Sequence, residues 1–382
     1  MNIENYKSGD YQQQYQYKSF SPTFIDHPWE VTDGEVLTLL SEADRALGEL
    51  NAFSQLVPDV DFFIRMHITK EATESSRLEG TRTNMEEAFL DIEDIEPEKR
   101  HDWEEVQNYI QAINSAIEQL ETVPLSNRVL KQTHKILMQG VRGETKQPGD
   151  FRRSQNWIGV SLKNAIFVPP HHDDVADLMG DLENFIHNEQ QHVPHLIKIA
   201  VLHYQFETIH PFLDGNGRLG RLMIALYFAS FGLLHKPALY LSDYLERNKT
   251  EYVDRLMAVR EKDQMREWLI FFLFGVYETA KSSIQVFKDI LVLKESLERE
   301  VLPRFSTRRQ DNAQLLIKTL YQRPAMDVKA VAALLSVEIN TATYLINDLV
   351  KYGVLEELTG KQRNRVFWFK QYLMIFSRGV GR

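Results

Sequence analysis

Residues 210–221 read His-Pro-Phe-Leu-Asp-Gly-Asn-Gly-Arg-Leu-Gly-Arg, and this stretch limits the possible folds more than any other. A glycine-rich turn, Gly215-Asn216-Gly217, stands directly before an apolar-periodic run over 218–231. That order predicts a helix whose first turn is open to a ligand. The first backbone N–H groups of a helix have no intrahelical partner, and the helix dipole favours negative charge there. Glycine lets such a backbone approach a phosphate with no Cβ in between. Arg218 and Arg221 are three residues apart, so they share a helix face and can reach one polyphosphate. Asp214 offers the hard oxygen that suits a Mg²⁺ bridging phosphates. His210 is the group here whose pKa suits taking a proton near neutral pH. A base, a metal ligand, an anion hole and two cations within one short stretch point to phosphate-transfer chemistry.

The stretch resembles the signature of the Fic family, His-Pro-Phe-x-Asp-Gly-Asn-Gly-Arg-x-x-Arg, with every fixed position present. The competing phosphate-loop pattern, Gly-x-x-x-x-Gly-Lys-Ser/Thr, does not occur here, since no lysine follows Gly217. The resemblance covers roughly residues 51–276. It implies a mainly α protein, a helical core with a β-hairpin flap that clamps a target segment. It also implies a protein adenylyltransferase that moves AMP from ATP to a Tyr, Thr or Ser hydroxyl and releases pyrophosphate. By position, His210 would deprotonate the target hydroxyl and Asp214 would hold Mg²⁺. Gly215, Asn216 and Gly217 would form the anion hole, Arg218 would contact the phosphates, Arg221 the γ-phosphate, and Phe212 would anchor the loop. Asn248 and Tyr252 resemble family positions near the adenine, with solvated helix residues as the equal alternative; the same choice applies to Ile158 and Gly159 on the flap.

A second segment, Ser75-Ser76-Arg77-Leu78-Glu79-Gly80, matches the inhibitory pattern Ser/Thr-x-x-x-Glu-Gly/Asn of some Fic proteins. There Glu79 would pair with Arg221 and deny it to the γ-phosphate, with Ser75 opening the pattern. De-AMPylation or transfer of another phosphate-linked group would use the same anion hole. A reading from another class is a DNA-binding regulator with a nucleotide-sensing core, against which the intact His210 argues. Self-modification and a homodimer are both compatible with the resemblance.

Composition narrows the setting. The chain has 382 residues and no cysteine, which excludes disulfides and thiolate metal sites and fits a cytoplasmic location. The first twenty residues lack the apolar core of a secretory signal, and the longest apolar run, 269–277, is too short to span a bilayer, so no membrane partner is expected. Net charge is −10, yet residues 305–382 carry 12 Lys and Arg against 6 Asp and Glu. A basic tail module on an acidic body suggests two units with different partners.

Periodicity and breakers divide the chain into an N-terminal helical region (1–100), a core (101–280), a helical connector (281–304) and a winged-helix module (305–382). The first 30 residues read as a flexible arm. Helices are expected over 33–51, broken by Pro58, and over 61–77, with Gly80 as a stop. Another is expected to open at 84–87, with more over 103–120, 127–138, 173–187, 195–209, 218–231, 243–259, 265–276 and 286–300. A β-hairpin is expected from 156–160 and 165–168. Clusters His171-His172-Asp173-Asp174 and His187, His192, His195 read as a helix start and as non-metal histidines. Trp268, Phe271, Phe272 and Phe274 read as core. In the last module, helices through Leu316, Leu335 and 340–352 precede two short strands flanking 360–364, a winged helix-turn-helix with a basic wing. DNA is one candidate ligand of that module and a partner protein the favoured one, because 340–352 carries Lys351 as its sole base, beside Asp348.

Overall fold

A computed structural model describes residues 3–56, 60–141, 143–360 and 365–377. The chain is built around one helix with no polar face, α6 (His195–Ile209), in which every residue from Leu196 to Ile209 is buried. Such a helix has to be enclosed on all sides. It is enclosed by α5 (Val175–His187), α7 (Asn216–Ser230) and α10 (Met265–Ser296), and α10 in turn lies along α1 (Gly34–Leu56). Trp268 of α10 donates its indole N–H to the Ala200 carbonyl of α6 at 2.9 Å, which satisfies a buried donor while its ring fills the core. On the far side α2 (Val60–Leu78), α3 (Arg100–Leu120) and α4 (Asn127–Leu137) pack together and against α7. α8 (Ser242–Arg247) and α9 (Lys249–Lys262) close the remaining edge.

Several expectations need correction. The N-terminal arm is an ordered hairpin, β1 (Gly9–Gln13) with β2 (Lys18–Pro22). It is docked by Ile3, Tyr6, Phe20 and Ile25, all buried, and by Ser8, whose N–H and hydroxyl both donate to Asp263. The helix expected at 84–87 is a 3₁₀ turn over Glu87–Phe89, fastened by reciprocal bonds between Asn84 and Glu87. The run 243–259 is two helices jointed at Asn248. No separate connector follows residue 280, because α10 is continuous over 32 residues and buries Ile284, Phe287 and Ile290 as firmly as Trp268. Phe274 on the same helix is 42 % exposed, so it is not core. Pro58 lies outside the described residues. The flap hairpin is present, β3 (Ile158–Gly159) with β4 (Ala165–Phe167), and carries a register shift at Ile158/Gly159.

The C-terminal region comprises α11 (Thr307–Gln322), β5 (Ala325–Asp327), α12 (Val328–Leu335), α13 (Ile339–Lys351), β6 (Glu356–Glu357), β7 (Val366–Trp368) and α14 (Lys370–Ser377). α12 and α13 meet at 109° across a short turn, and the strands form an antiparallel sheet ordered β5-β7-β6. Residues 361–364, which include Lys361 and Arg363 of the expected wing, lie outside the described residues. This region packs onto α2, where Phe63 meets the rings of Tyr321 and Tyr372, and His67 meets Phe376. Among the described residues no single helix is long and apolar enough to cross a membrane.

Candidate active site

The loop between α6 and α7 is the site. His210 ends α6 in the left-handed region (φ 50°), so the chain turns sharply away from the helix axis. Its carbonyl accepts from Arg152 Nε at 3.0 Å and from Asn156 Nδ2 at 3.1 Å, and the same Asn156 amide donates to the Phe212 carbonyl at 2.9 Å. Arg152 is itself 2 % exposed and also donates to the Pro170 carbonyl, which ties the flap's base to the loop. Burial, followed by the nearby Arg260 and Arg152 cations, lowers the His210 pKa to about 4. The imidazole is therefore neutral near pH 7 but a weaker base than the sequence suggested, because burial and two neighbouring cations disfavour its protonated form.

Asn216 shapes the next turn. Its side chain exchanges two 2.8 Å hydrogen bonds with the Phe212 backbone, which folds the loop back on itself just before α7. The Phe212 ring is fully buried and lies flat on His134 of α4, 3.9 Å between centroids and 12° between planes. Gly215 sits at φ 74°, the left-handed region that glycine adopts without strain.

Asp214 Oδ1 accepts from the Gly215 N–H at 2.8 Å and Oδ2 accepts from Lys146 Nζ at 2.9 Å. Burial raises its pKa, but Lys146 and the Gly215 amide outweigh that and hold the carboxyl below its usual range. Arg218 is buried and donates to Glu105 of α3 at 2.9 Å, so its guanidinium is already countered from within the protein. Arg221 is buried too. Its Nε donates to Ser75 Oγ and its Nη2 to the Ser75 carbonyl, both at 2.9 Å, and Nη2 also donates to Glu79 Oε1 at 2.8 Å.

The Glu79 carboxylate thus occupies the head of α7. A Cβ placed on Gly217 would collide with Glu79 Oε1, so the absence of a side chain there is what admits an anion. Burial raises the Glu79 pKa, yet Arg221 beside it, then Arg218 and His210, bring it below the ordinary carboxylate range. The rest of α2 is anchored separately. Glu71, fully buried, accepts from Tyr109 Oη at 2.9 Å and from the Ser242 hydroxyl and N–H at 2.6 and 3.1 Å.

The sequence-derived residues His210, Asp214, Gly215, Asn216, Gly217, Arg218 and Arg221 lie on one loop and helix start, with Ser75 and Glu79 brought against them from α2. Asn248 stands at the α8–α9 joint with its amide on the Tyr244 carbonyl. Tyr252 is a core residue and not a solvated one; its hydroxyl is 2.8 Å from His203 Nε2, whose Nδ1 faces the Gly220 carbonyl. His187 and His195 serve the Leu125 carbonyl and the Tyr227 hydroxyl. Glu105, His134, Lys146, Arg152 and Asn156 were missed, since none belongs to a local pattern and each reaches the site from a distant element.

Two consecutive family models match this chain, the Fic/DOC family N-terminal region over residues 37–118 and the Fic/DOC family over 124–228. Residues 37–228 of this chain belong to the Fic/DOC family. Among curated relatives, protein adenylyltransferase Fic of Aedes aegypti is 33 % identical over 116 residues, 30 % of this chain and 21 % of that protein. Its counterpart in Drosophila grimshawi is 42 % identical over 77 residues, 20 % of this chain and 15 % of that protein. The match therefore spans about a fifth or less of those relatives' length. In solved structures the fold recurs in a Fic family protein from Desulfovibrio desulfuricans, with TM-score 0.56, 19 % identity and coverage of 90 % of this chain and 98 % of that one. It recurs also in a variant of Fic-1 from C. elegans, with TM-score 0.51, 20 % identity and coverage of 68 % and 74 %.

Proposed function

We propose that this chain is a protein adenylyltransferase that transfers AMP from ATP to a hydroxyl side chain of a target protein, and that Glu79 restrains it. The observation that carries the reading is the carboxylate at the head of α7. A site that already holds a side-chain anion against Gly217 and Arg221 has the shape and charge to hold a phosphate in its place. In the reaction the target oxygen attacks the α-phosphorus as the His210 imidazole takes its proton. The bond from the α-phosphorus to the bridging oxygen breaks, and pyrophosphate leaves with the electron pair. The α7 amides and Arg221 stabilise charge on the phosphates without reorganising, which is where most of the rate gain in phosphoryl-type transfer originates. Arg218 acts from behind, fixed by Glu105.

Asp214 fits Mg²⁺ as a single carboxylate ligand, since its Oδ2 already faces a cation, Lys146, on a half-exposed and movable side chain. When bound, the ion would neutralise phosphate charge. Glu79 is 39 % exposed and can swing out without unpacking the core, whereas Arg221 is buried and held by Ser75.

The reading is tested by incubating the parent and Glu79→Gly with labelled ATP, CTP, GTP and UTP and Mg²⁺. Glu79→Gly should raise label transfer from ATP well above the parent, and adding Arg221→Ala or Asp214→Ala should erase the gain. Equal, low transfer by parent and Glu79→Gly with the fold intact would sink the restraint; transfer confined to another nucleotide would sink the substrate.

A further inference from the structure

We infer that His134 is the positioning residue that sets the direction of the Asp214 carboxylate, an inference that deepens the adenylyltransferase reading and rests on it for the role of Asp214. A backbone N–H can only donate, and it fixes the tautomer of the ring it meets. The Gly149 backbone N–H points at His134 Nδ1 at 2.9 Å, so that nitrogen is the acceptor. The proton of the neutral ring is then on Nε2, which donates to the Asp214 carbonyl at 2.9 Å. That carbonyl and the Gly215 N–H belong to one planar peptide unit. Holding the oxygen therefore aims the N–H, and the N–H is what grips Asp214 Oδ1 at 2.8 Å. The carboxylate's direction is set three bonds away by an imidazole on another helix.

Two contacts keep the peptide unit from turning over. The His134 ring is clamped flat against the Phe212 ring, two residues upstream of Asp214. Gly215 is packed so closely against Met138 and His134 Nε2 that an added Cβ would collide with the Met138 sulfur and crowd the ring. Only histidine among the side chains supplies an acceptor on one edge, a donor on the other and a flat apolar face at once. His134 itself is 1 % exposed and touches no nucleotide position, so it acts through the loop.

Two conservative variants separate the two hydrogen bonds. Asparagine carries its amide near the Nδ1 position, and H134N keeps an acceptor for Gly149 while losing the donor to Asp214. Glutamine reaches the Nε2 position, and H134Q keeps that donor while losing the acceptor. Each loses the ring and one hydrogen bond, so their melting temperatures should fall together. Mg²⁺-dependent ATP binding, measured by calorimetry on the full chain in the Glu79→Gly background, should weaken about tenfold in H134N and by less than about threefold in H134Q. ATP binding without Mg²⁺ should be alike in both. Equal loss in both variants, no loss in either, or a loss that follows melting temperature would overturn the role. The binding series is independent of AMP transfer, so failure of Glu79→Gly to label any protein would count against the reaction and not against His134.

Discussion

At the scale of residues, the site combines buried, fixed groups with two exposed, movable ones. His210, Arg218 and Arg221 are held by Arg152 and Asn156, by Glu105, and by Ser75 respectively, while the charged groups Glu79 and Lys146 are each more than a third exposed. Preorganised charge needs no rearrangement when the substrate's charge shifts, which is why the fixed groups are buried. His210→Ala should lower AMP transfer by roughly 10²–10⁴-fold in the Glu79→Gly background, the usual cost of losing a general base. ATP affinity should hardly change, because the imidazole acts on the incoming hydroxyl. A mutant that labels at the parental rate in a single-turnover assay would remove His210 from the mechanism.

Among the elements, α2 is the one that joins parts of the molecule. Its C-terminal end delivers Ser75 and Glu79 to Arg221, its middle is tied to α3 and α8 through Glu71, and its N-terminal end is packed against α11 and α14. α13 has a different task. We propose that 305–377 is a winged helix-turn-helix whose ligand is a partner protein and not duplex DNA. The 109° angle between α12 and α13 and the strands behind them support the helix-turn-helix reading. Against DNA, α13 has Lys351 as its one base, and its Asp348 accepts a 2.7 Å ion pair from Arg309, which consumes a positive charge of α11. Phosphate contacts dominate DNA affinity and make it fall steeply with salt. Titrating the full chain with duplex DNA should give weak binding between low and physiological salt. Tight binding with a steep salt slope would reverse the assignment.

On the scale of the whole molecule, burial of ionisable groups makes stability depend on pH with a sign that can be worked out. Burial lowers the pKa of His67 and His203 to about 3 and of His134 and His210 to about 4, against 6.5 in the unfolded chain. Between those values the unfolded state binds more protons, so acid destabilises the fold. Glu74 and Glu207 are raised by burial to about 7 from 4.5, and over that window they act in the opposite sense. His195 is lowered by burial as well and Glu71 raised by it, and near the unfolded histidine value of 6.5 the histidines set the sign. Lowering pH from about 6.5 to 5.5 should lower the thermal midpoint. A midpoint that rises over this interval would show that the carboxyls dominate.

The chain's own order of residues determined the loop at 210–221, the α7 start behind it and the Glu79 segment, because a glycine turn, a helix start and a Ser-x-x-x-Glu spacing are local and repeat in any context. It also determined that α6 is a mainly apolar helix, whereas the burial of its Lys198, His203, Gln205 and Glu207 was decided by the packing around it. Tertiary structure alone decided that α10 continues through residue 280, because its second half finds an apolar seat for Phe287 and Ile290 that local charge does not announce. It likewise decided that the N-terminal hairpin docks, through Asp263 on a loop some 250 residues away. Glu105, His134 and Arg152 were illegible for the same reason. A hydrogen bond between residues far apart in sequence leaves no spacing to read, and each becomes functional only when packing brings its helix or loop to the head of α7.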